Sequence, residues 1–421
     1  MLKNRLRTIS AIASLSLLAG CGVGRSVGHE LFGLDNGSGN TNTPVAVKSV
    51  FGYAVADEPQ AALVGRAILN AGGNAVDAAV AEGFAQAVTL PSRGGLGGGG
   101  ACLIKIANAQ GGMQPPVVVS FPAGNPQATG GSRPAAVPLL ARGLLAMQAR
   151  YGLLPQASVI VPAERLAGGA QMSQALESDL QVVGSALLAD PQAASIFAPN
   201  GALLPVGATF QQPNLASTLE NLRVNGINGL YTGVYAAQFA QAADSVGGGL
   251  TAKDLIDALP QYQAPDTTKL DQYNIASLPV APVAPGTALP ASGSFMALDK
   301  NGGAVICVTS MNNLFGTGRF ATGTGVLLAA SPRTVPTPQL AAAMAYTSDY
   351  AFRAAVSGTG QNEAESAVQI GMKEALTGTT IPVPPPGRAN IISCPGNVPG
   401  GEASCRAHAA TGGNGLAIGG R

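Results

Sequence analysis

Histidine and tryptophan are the two residues that this sequence lacks most clearly. Its 421 residues include no tryptophan and two histidines, His29 and His408. A Ser-His-Asp triad needs a histidine next to its nucleophile, and zinc sites need several His or Cys ligands at short spacing, as in HExxH. Neither pattern occurs. The sequence therefore argues against a histidine-based triad and predicts no metal site.

Charged residues are scarce as well, at 11% of the chain, with a formal net charge of +1. Nucleic-acid binding needs a basic surface, so we expect no nucleic-acid partner. The run Gly95–Gly100 matches GxGxxG, but a dinucleotide site also needs an acidic residue about 20 positions further on. No Asp or Glu lies between Glu82 and Glu164, and no GxxxxGK[ST] loop occurs. We therefore expect no nucleotide and no other cofactor.

Small residues are abundant instead, with 57 glycines and 30 prolines in a chain that is 46% apolar. That apolar share is too large for a disordered chain and predicts a globular core. Residues 72–101 read GGNAVDAAVAEGFAQAVTLPSRGGLGGGGA, a helical pattern over about 75–87 between two glycine clusters. A linker is the alternative, but apolar runs lie on both sides. We interpret the glycines as backbone packed too closely for a Cβ.

The N-terminus has the pattern of an export signal. A basic start is followed by the apolar run Ile9–Ala19, which is too short to span a bilayer. It ends in LLAGC, which resembles a bacterial lipobox and implies cleavage before Cys21 and lipidation of that cysteine. An ordinary signal peptide with an incidental cysteine is the alternative. We predict a signal over 1–21, a flexible tether over 22–46, a single domain over 47–421, and a lipid anchor in the bacterial cell envelope.

Four cysteines remain in the predicted mature domain. Cys394 and Cys405 flank a Pro/Gly-rich stretch, and in an exported chain they predict a disulfide rather than a metal site. Cys102 and Cys307 lie in apolar strand-like runs. We interpret these two as buried hydrophobic residues.

The order of sequence patterns predicts helices in the N-terminal part of the chain and a β-hairpin in the C-terminal part. We expect two helical patterns within Ala54–Val88, strands at Cys102–Ala107 and Val117–Phe121, and a helix over Pro138–Tyr151. Residues 263–290 are proline-rich and predict a loop. The runs SGSFMAL and AVICVTS then predict a hairpin around Asn301-Gly302, which favours a tight primed turn.

Several of these segments resemble the gamma-glutamyltransferase (gamma-glutamyltranspeptidase) family. Its N-terminal signature is matched by GGNAVDAAVA at 72–81 and GLGGGG at 95–100. The resemblance extends over about 50–334, and GLAIGG near the C-terminus is also similar to the end of the family sequence. It implies an α+β fold, the four-layer αββα sandwich of N-terminal-nucleophile hydrolases. It also implies a precursor that cuts itself and acts on a small-molecule or peptide amide.

The predicted hairpin carries the implied nucleophile. The stretch SGSFMALDKNGGAVICVTSMNNLFGTG at 292–318 aligns with the family hairpin and places Ser292 at the position of its threonine nucleophile. Cleavage between Ala291 and Ser292 would give chains 22–291 and 292–421, and the freed α-amine would act as base. Ser310 then takes the position of a second hydroxyl residue of the family site, and Asn312 takes the position of a site residue close to it. Ser294 as nucleophile, and Ser292 as an ordinary strand residue, are the alternatives.

The family's glutamyl-binding residues are replaced in this sequence. The resemblance places Pro122 where the family has an arginine for the substrate carboxylate, and Arg333 where it has an acidic pair. An oxyanion loop survives as Ser357–Gly360, with the amides of Gly358 or Gly360 as donors. Arg93 and Arg333 are candidate carboxylate ligands, or else ordinary surface arginines.

Two functions remain open from the sequence alone. The first is a divergent, self-processing amidohydrolase or acyltransferase that uses Ser292. The second is an envelope lipoprotein that keeps the fold for binding or structure without catalysis. The hydroxyls at 292 and 310 favour the first, and the missing glutamyl-binding residues favour the second.

Overall fold

The computed structural model describes residues 50–107, 112–128, 130–282 and 286–420. The predicted signal sequence, Cys21 and the tether lie outside these ranges. Within them, no helix has the length and apolar character that crossing a membrane requires.

The strands are β1 (Gly52–Ala56), β2 (Gly99–Lys105), β3 (Val117–Phe121), β4 (Ala170–Gln171), β5 (Thr209–Phe210), β6 (Gln261–Gln263), β7 (Asp266–Leu270), β8 (Tyr273–Ser277), β9 (Ser292–Asp299), β10 (Ala304–Ser310), β11 (Ala341–Tyr346), β12 (Phe352–Thr359), β13 (Arg388–Val398), β14 (Arg406–His408) and β15 (Leu416–Gly419). The helices are α1 (Pro59–Asn70), α2 (Ala75–Thr89), α3 (Pro91–Gly94), α4 (Leu140–Tyr151), α5 (Gln156–Gly168), α6 (Gln174–Leu187), α7 (Pro191–Phe197), α8 (Pro213–Asn225), α9 (Asn228–Tyr231), α10 (Gly233–Asp244), α11 (Ala252–Asp257) and α12 (Ala364–Thr377).

Two antiparallel sheets are stacked face to face. The first has the strand order β15-β1-β9-β10-β2-β3-β6 and the second β14-β13-β12-β11-β8-β7. Their inner faces share one core, because side chains of a strand alternate between its two faces. That core includes Met296, Leu298, Ile306 and Val308 from the first sheet and Met344, Ala355 and Ile392 from the second.

Helices cover both outer faces. Phe295 points away from the second sheet onto α2, where a Cβ on Gly83 would lie 2.8 Å from its ring. On the other side, Ala367 and Met372 of α12 pack against the outer residues of the second sheet. The predicted α+β fold, a four-layer αββα sandwich, is confirmed.

The N-terminal signature builds the start of α2. The Asn74 side chain caps the helix by accepting hydrogen bonds from the backbone amides of Val76 and Asp77. The Asp77 carboxylate in turn accepts from the backbone amide of Asn74 at 2.9 Å, which completes a capping box. The buried Asp77 carboxylate also accepts from the amides of Leu153 and Leu154, at 3.0 Å each. One side chain therefore joins the start of α2 to the loop after α4.

Two segments differ from the prediction. The pattern predicted as helical from Ala54 onward begins with strand β1, which lies between β9 and β15. A nearly fully buried strand has a continuous apolar run, which periodicity cannot distinguish from a buried helix. Residues 263–290, predicted as a loop, contain β7 and β8. Every residue of β7 is exposed at the sheet edge, so it shows no alternating apolar pattern.

The β9–β10 hairpin is confirmed, but its connection is longer than a two-residue primed turn. The Asp299 amide bonds to the Gly303 carbonyl at 2.8 Å, and Gly302 has a φ of 79°. The Asp299 carboxylate accepts from the amides of Asn301 and Gly303. It also accepts from the Ala75 amide at 3.1 Å, so the turn is tied to the start of α2.

The cysteines form two disulfides. Cys394 and Cys405 are bonded, as their spacing predicts. Cys102 and Cys307 are buried, as interpreted, but they are also bonded to each other, which was not predicted from the sequence. They are direct partners on β2 and β10, a pairing that brings two Cα atoms within reach of a disulfide. Strand propensity alone does not indicate which strands are neighbours.

The glycine cluster at 97–100 is packed against backbone on every side. A Cβ would lie 2.0 Å from the Leu327 carbonyl at Gly97, 2.5 Å from the Ser310 carbonyl at Gly98, and 2.3 Å from the Ala123 amide at Gly99. At Gly100 it would lie 2.4 Å from the Val308 carbonyl. The prediction of a closely packed backbone, rather than a linker, is confirmed for this block.

Gly97→Ala is expected to lower the free energy of unfolding by about 2 kcal/mol or more, because its methyl group would overlap a backbone carbonyl that cannot rotate away. The matched control is Gly168→Ala in α5, where nothing lies within 4 Å of the new methyl group. Denaturant unfolding of both variants measures the difference. Equal stability of the two variants would contradict this packing account.

The buried Lys105 makes stability depend on pH. Its Nζ donates to the Gly302 carbonyl at 2.9 Å, and burial lowers its pKa from 10.5 to about 7, against an opposing effect of Asp299. Between these values the unfolded chain holds a proton that the folded chain has lost. The Lys105 contribution to the free energy of unfolding therefore rises with pH, by up to about 1.4 kcal/mol per unit.

Lys105→Met removes this titration. We expect the stability of the wild type relative to Lys105→Met to increase between pH 7 and about pH 9, as measured by denaturant unfolding at each pH. A constant difference between the two proteins over this range would refute the assignment.

Candidate active site

Ser292 and Ser310 lie opposite each other at one end of the β9–β10 hairpin. Ser292 is the first residue of β9, Ser310 is the last residue of β10, and the two are direct partners in the ladder. Both side chains are on the face that points to the second sheet, and the residues are 3% and 4% exposed. The sequence-predicted pair of hydroxyl residues is thus brought together at the end of the sandwich core.

The Ser292 hydroxyl oxygen accepts a hydrogen bond from the Gly360 amide at 3.3 Å. Gly360 has a φ of 112°, and a Cβ there would lie 2.3 Å from the Pro386 carbonyl. Both facts require glycine at this position. Gly358, the other predicted donor, lies inside β12 between its partners Ala341 and Ala389. Of the two glycines, Gly360 is the one that contacts Ser292.

Both backbone polar groups of Ala291, the residue before Ser292, are hydrogen-bonded. The Ala291 carbonyl accepts from the Met311 amide at 3.2 Å. The Ala291 amide donates to the Gln361 side-chain carbonyl, also at 3.2 Å. A hydrogen bond to the Ala291 carbonyl stabilises negative charge that develops on its oxygen, as an oxyanion hole does.

Asn312 fixes the loop after β10. Its φ is 62°, in the left-handed region that asparagine tolerates, and its amide donates to the Ser310 hydroxyl at 2.8 Å. Its side-chain Nδ2 donates to the carbonyls of Ala123 and Ala330, at 3.0 and 2.9 Å. Asn312 therefore positions Ser310 and joins two loops.

A buried polar network lies two residues along β9 from the candidate nucleophile. The Asp57 carboxylate accepts from the Ser294 amide at 2.8 Å and from the Asn390 side chain at 2.7 Å. The Ser294 hydroxyl accepts from Ser357 and Asn390, at 2.8 and 2.9 Å. Because Ser294 is fully buried and bonded on all these sides, the structure does not favour it as the nucleophile.

Sequence reasoning missed this network and Gln361. The Asp57–Asn390 bond joins residues 333 positions apart, so no local spacing signals it. The one available hint was an acidic residue directly after a buried strand, since a buried carboxylate needs partners.

Neither candidate arginine offers a free guanidinium to a substrate. Arg93 forms a bidentate ion pair with Asp179, in which its Nε and Nη2 donate to the two carboxylate oxygens at 2.8 and 2.5 Å. Both side chains are buried. Arg333 is exposed and donates to the carbonyls of Ala128 and Pro126, at 2.6 and 2.7 Å. These contacts count against both residues as carboxylate ligands, because acceptors within the chain already engage their guanidinium groups.

Arg388 is a further cation near this end of the sandwich. It starts β13 opposite Thr359, the residue before Gly360. Burial and the Arg93 guanidinium lower the pKa of Arg388, while Asp57 and Asp179 raise it. No sequence pattern indicated this residue.

A cavity of about 330 Å³ opens beside Ser310, and we call it the Ser310 cavity. Its wall includes Ser310, Asn312 and Pro122, the residue in the position of the family arginine. Its other lining residues are Gly99, Ala101, Val118, Ser120, Ala123, Gly124, Asn125, Gln263, Leu278, Pro279, Ala281, Pro332, Thr337, Pro338 and Leu340. None of these described residues carries a charge. In the described part of the chain, no three His, Cys, Asp or Glu side chains cluster as metal ligands do.

The chain is similar to proteins of one family. The model of the gamma-glutamyltranspeptidase family matches residues 61–291, more than half of the chain, and ends directly before Ser292. The glutathione hydrolase proenzyme of Escherichia coli (strain K12) is 35% identical over 261 residues, which are 56% of this chain and 43% of that protein. The capsule biosynthesis protein CapD proenzyme of Bacillus anthracis is 30% identical over 198 residues, 47% of this chain and 36% of that protein. The chain thus spans less than half the length of these relatives.

The fold is also that of a solved structure. The crystal structure of cephalosporin acylase from Bacillus halodurans superimposes with a TM-score of 0.71, covering 92% of this chain and 100% of that one, at 16% sequence identity. At this identity the likeness establishes the fold alone.

Asp57→Asn is expected to destabilise the protein by about 2 kcal/mol, because the new amide turns a donor toward the Ser294 amide or the Asn390 Nδ2, which are donors themselves. Denaturant unfolding measures the loss. The control, Asp244→Asn at the exposed end of α10, should change stability by less than about 0.5 kcal/mol. Similar effects of the two substitutions would show that the network contributes nothing.

Proposed function

We propose, because this chain belongs to the gamma-glutamyltranspeptidase family, that it is a self-processing amidohydrolase or acyltransferase with Ser292 as its N-terminal nucleophile. One observation carries the proposal. The Ser292 hydroxyl accepts a hydrogen bond from the Gly360 amide, and the carbonyl of the preceding residue, Ala291, accepts one from the Met311 amide. Ser310, its ladder partner, supplies a second hydroxyl beside it.

Self-cleavage would proceed by an N-to-O acyl shift. The Ser292 oxygen attacks the Ala291 carbonyl carbon and loses its proton, the Ala291–Ser292 C–N bond breaks, and the departing nitrogen takes up a proton. Water then hydrolyses the resulting ester, which leaves a carboxylate on Ala291 and a free hydroxyl and α-amine on Ser292. The Met311 amide is placed to stabilise the oxyanion of this step, since it donates to the carbonyl oxygen in the uncut chain.

Turnover would reuse the same atoms. The freed α-amine of Ser292 accepts the hydroxyl proton as Ser292 attacks the carbonyl of a substrate amide, and the amine leaving group takes that proton. Water or a second amine then releases the acyl group from Ser292. The Gly360 amide, 3.3 Å from the Ser292 oxygen, is the candidate donor to the oxyanion of this reaction.

We further propose that γ-glutamyl groups are poor substrates. A bound glutamyl group carries an ammonium and a carboxylate, and burying these without partners costs several kcal/mol. Pro122 replaces the expected arginine, and Arg93 and Arg333 are engaged by Asp179 and by backbone carbonyls. Activity on γ-glutamyl amides is accordingly expected to be low.

The place of action proposed from the N-terminal sequence is the bacterial cell envelope, with Cys21 carrying a lipid anchor. Two disulfides, Cys102–Cys307 and Cys394–Cys405, support an oxidising compartment. Lipidation is tested by mass spectrometry of the mature N-terminus.

The second candidate function is an envelope lipoprotein without catalysis. One observation favours it: the family match ends at residue 291, so that residues 292–421, which include Ser292, Ser310 and Gly360, lie outside the matched segment. This candidate predicts a chain that never cuts itself.

We expect purified protein to give two chains on a reducing denaturing gel, with Ser292 at the N-terminus of the smaller chain. Ser292→Ala should remain uncut, because it lacks the attacking oxygen, whereas Ser292→Thr should still be cut. Ser195→Ala, on the surface of α7, is the matched control and should be cut like the wild type.

Reduction matters in this experiment. Cys102 and Cys307 lie on opposite sides of the cut and are bonded, so the cut protein should run as one band without reductant. An uncut wild type under reducing conditions would favour the second candidate. Equal cutting of Ser292→Ala would exclude Ser292 as the nucleophile.

A further inference from the structure

We propose that the Ser310 cavity binds a short, uncharged acyl group and so defines the substrate as an amide of a neutral carboxylic acid. This inference rests on the proposed function for the reaction, but binding in the cavity is a separate property. It is carried by the position of the cavity, by the size of the residues on its floor and by the absence of charge in its described lining.

The cavity begins next to the candidate nucleophile. Ser310 and Asn312 form part of its wall, and Ser310 is the ladder partner of Ser292. Cβ atoms of such partners lie about 5 Å apart. An acyl group in the cavity therefore has its carbonyl end within reach of Ser292, while its chain runs away from β9 across β10, β2 and β3.

The floor is made of very small residues. Gly99 and Ala101 are the inward-facing residues of β2 at this point, and Val118 and Ser120 continue the floor on β3. A larger side chain at 101 would extend into the space between the sheets. Gly99 cannot be enlarged, because a Cβ there would lie 2.3 Å from the Phe121 carbonyl and the Ala123 amide.

The inner end is apolar and the mouth is polar but neutral. Ala101, Val118, Ala123 and Leu278 are buried and offer no hydrogen bonds from their side chains. The exposed residues at the mouth include Asn125, Gln263 and Thr337. These side chains can bond an amide but cannot neutralise a charge. An alkyl or aryl acyl group fits this arrangement, whereas a zwitterionic glutamyl group leaves two charges without partners.

The volume limits the size of the group. At about 330 Å³ the cavity is near the lower end for small-molecule sites. It spans from β10 over β2 and β3 to Gln263 on β6, three strand spacings or about 14 Å. A chain of a few carbons fits within this space.

A matched pair of anilides tests the proposal directly. Pentanoyl p-nitroanilide and γ-glutamyl p-nitroanilide have acyl groups with the same number of carbons, and they differ in the ammonium and carboxylate. Calorimetric titration of Ser292→Ala, in which the cavity is present and no turnover occurs, should show the pentanoyl compound binding at least about tenfold tighter, a difference of about 1.4 kcal/mol. Equal or tighter binding of the γ-glutamyl compound would overturn the proposal and direct attention to Arg388.

Two cavity variants in the Ser292→Ala background locate the site. Ala101→Leu fills the inner end, and Thr337→Trp narrows the exposed mouth without altering the core. Each should weaken binding of the pentanoyl compound at least about tenfold, and Thr379→Trp, on an exposed loop elsewhere, should leave it unchanged. Unchanged binding in Thr337→Trp would place the ligand elsewhere.

The two proposals fail separately. Suppose that the wild type never cuts itself, that Ser292→Ala binds the pentanoyl compound, and that adding Thr337→Trp abolishes this binding. The proposed reaction is then wrong and the cavity assignment stands. If the wild type cuts itself and no neutral anilide binds or is hydrolysed, the nucleophile stands and the acyl assignment falls.

Discussion

The close backbone contact of the glycine block Gly97–Gly100 determines where the other parts of the site can lie. With no side chains in the way, this segment meets the carbonyls of Leu327, Ser310 and Val308. Those contacts hold β2 against the end of β10, where Ser310 stands, and against the loop that contains Leu327. Gly99, one residue of this block, also lines the Ser310 cavity. The block therefore contacts both the strand that ends in Ser310 and the cavity beside it.

The β9–β10 hairpin uses both of its faces. Inward, it contributes Met296 and Val308 to the core between the sheets, and Ser292 and Ser310 at the end of that core. Outward, Phe295 packs on α2 and Cys307 is bonded to Cys102. Since core packing on both faces fixes the strands, the two serines need few contacts of their own. The Asp57 network adds a third fixed point on β9, at Ser294.

Much of this arrangement could be predicted from the sequence, because its signals are local. The apolar helix α2, the β-rich runs around Asn301-Gly302 and the spacing of Cys394 and Cys405 each depend on residues that are close together in the chain. The resemblance of the hairpin to that of the family then placed Ser292 at the nucleophile position and Ser310 at a second hydroxyl. The four layers followed from the family resemblance rather than from composition.

The missed features are those in which distant segments meet. The Arg93–Asp179 ion pair, the Cys102–Cys307 disulfide and the Asp57–Asn390 bond join segments 86, 205 and 333 residues apart. Each changes the chemistry of a side chain that looked free or inert in the sequence. Arg93 in particular looked like a ligand for a substrate carboxylate until its partner, which lies on another helix, was known. A buried strand such as β1 was missed for the same reason, since its neighbours define it.

The strand order of the first sheet has a consequence for the sequence of events after synthesis. β9 and β10 lie in its middle, with β1 on one side and β2 on the other, although both neighbours precede residue 291 in the chain. The segment up to Ala291 thus cannot complete its own sheet, and the segment from Ser292 onward lacks the strands that flank its hairpin. The Met311–Ala291 bond continues the β9–β10 ladder, whereas the Gly360 amide reaches Ser292 from the end of β12 in the second sheet. If the proposed cleavage occurs at this bond, it would depend on the pairing of both sheets, and a misfolded copy would not gain the free α-amine of Ser292.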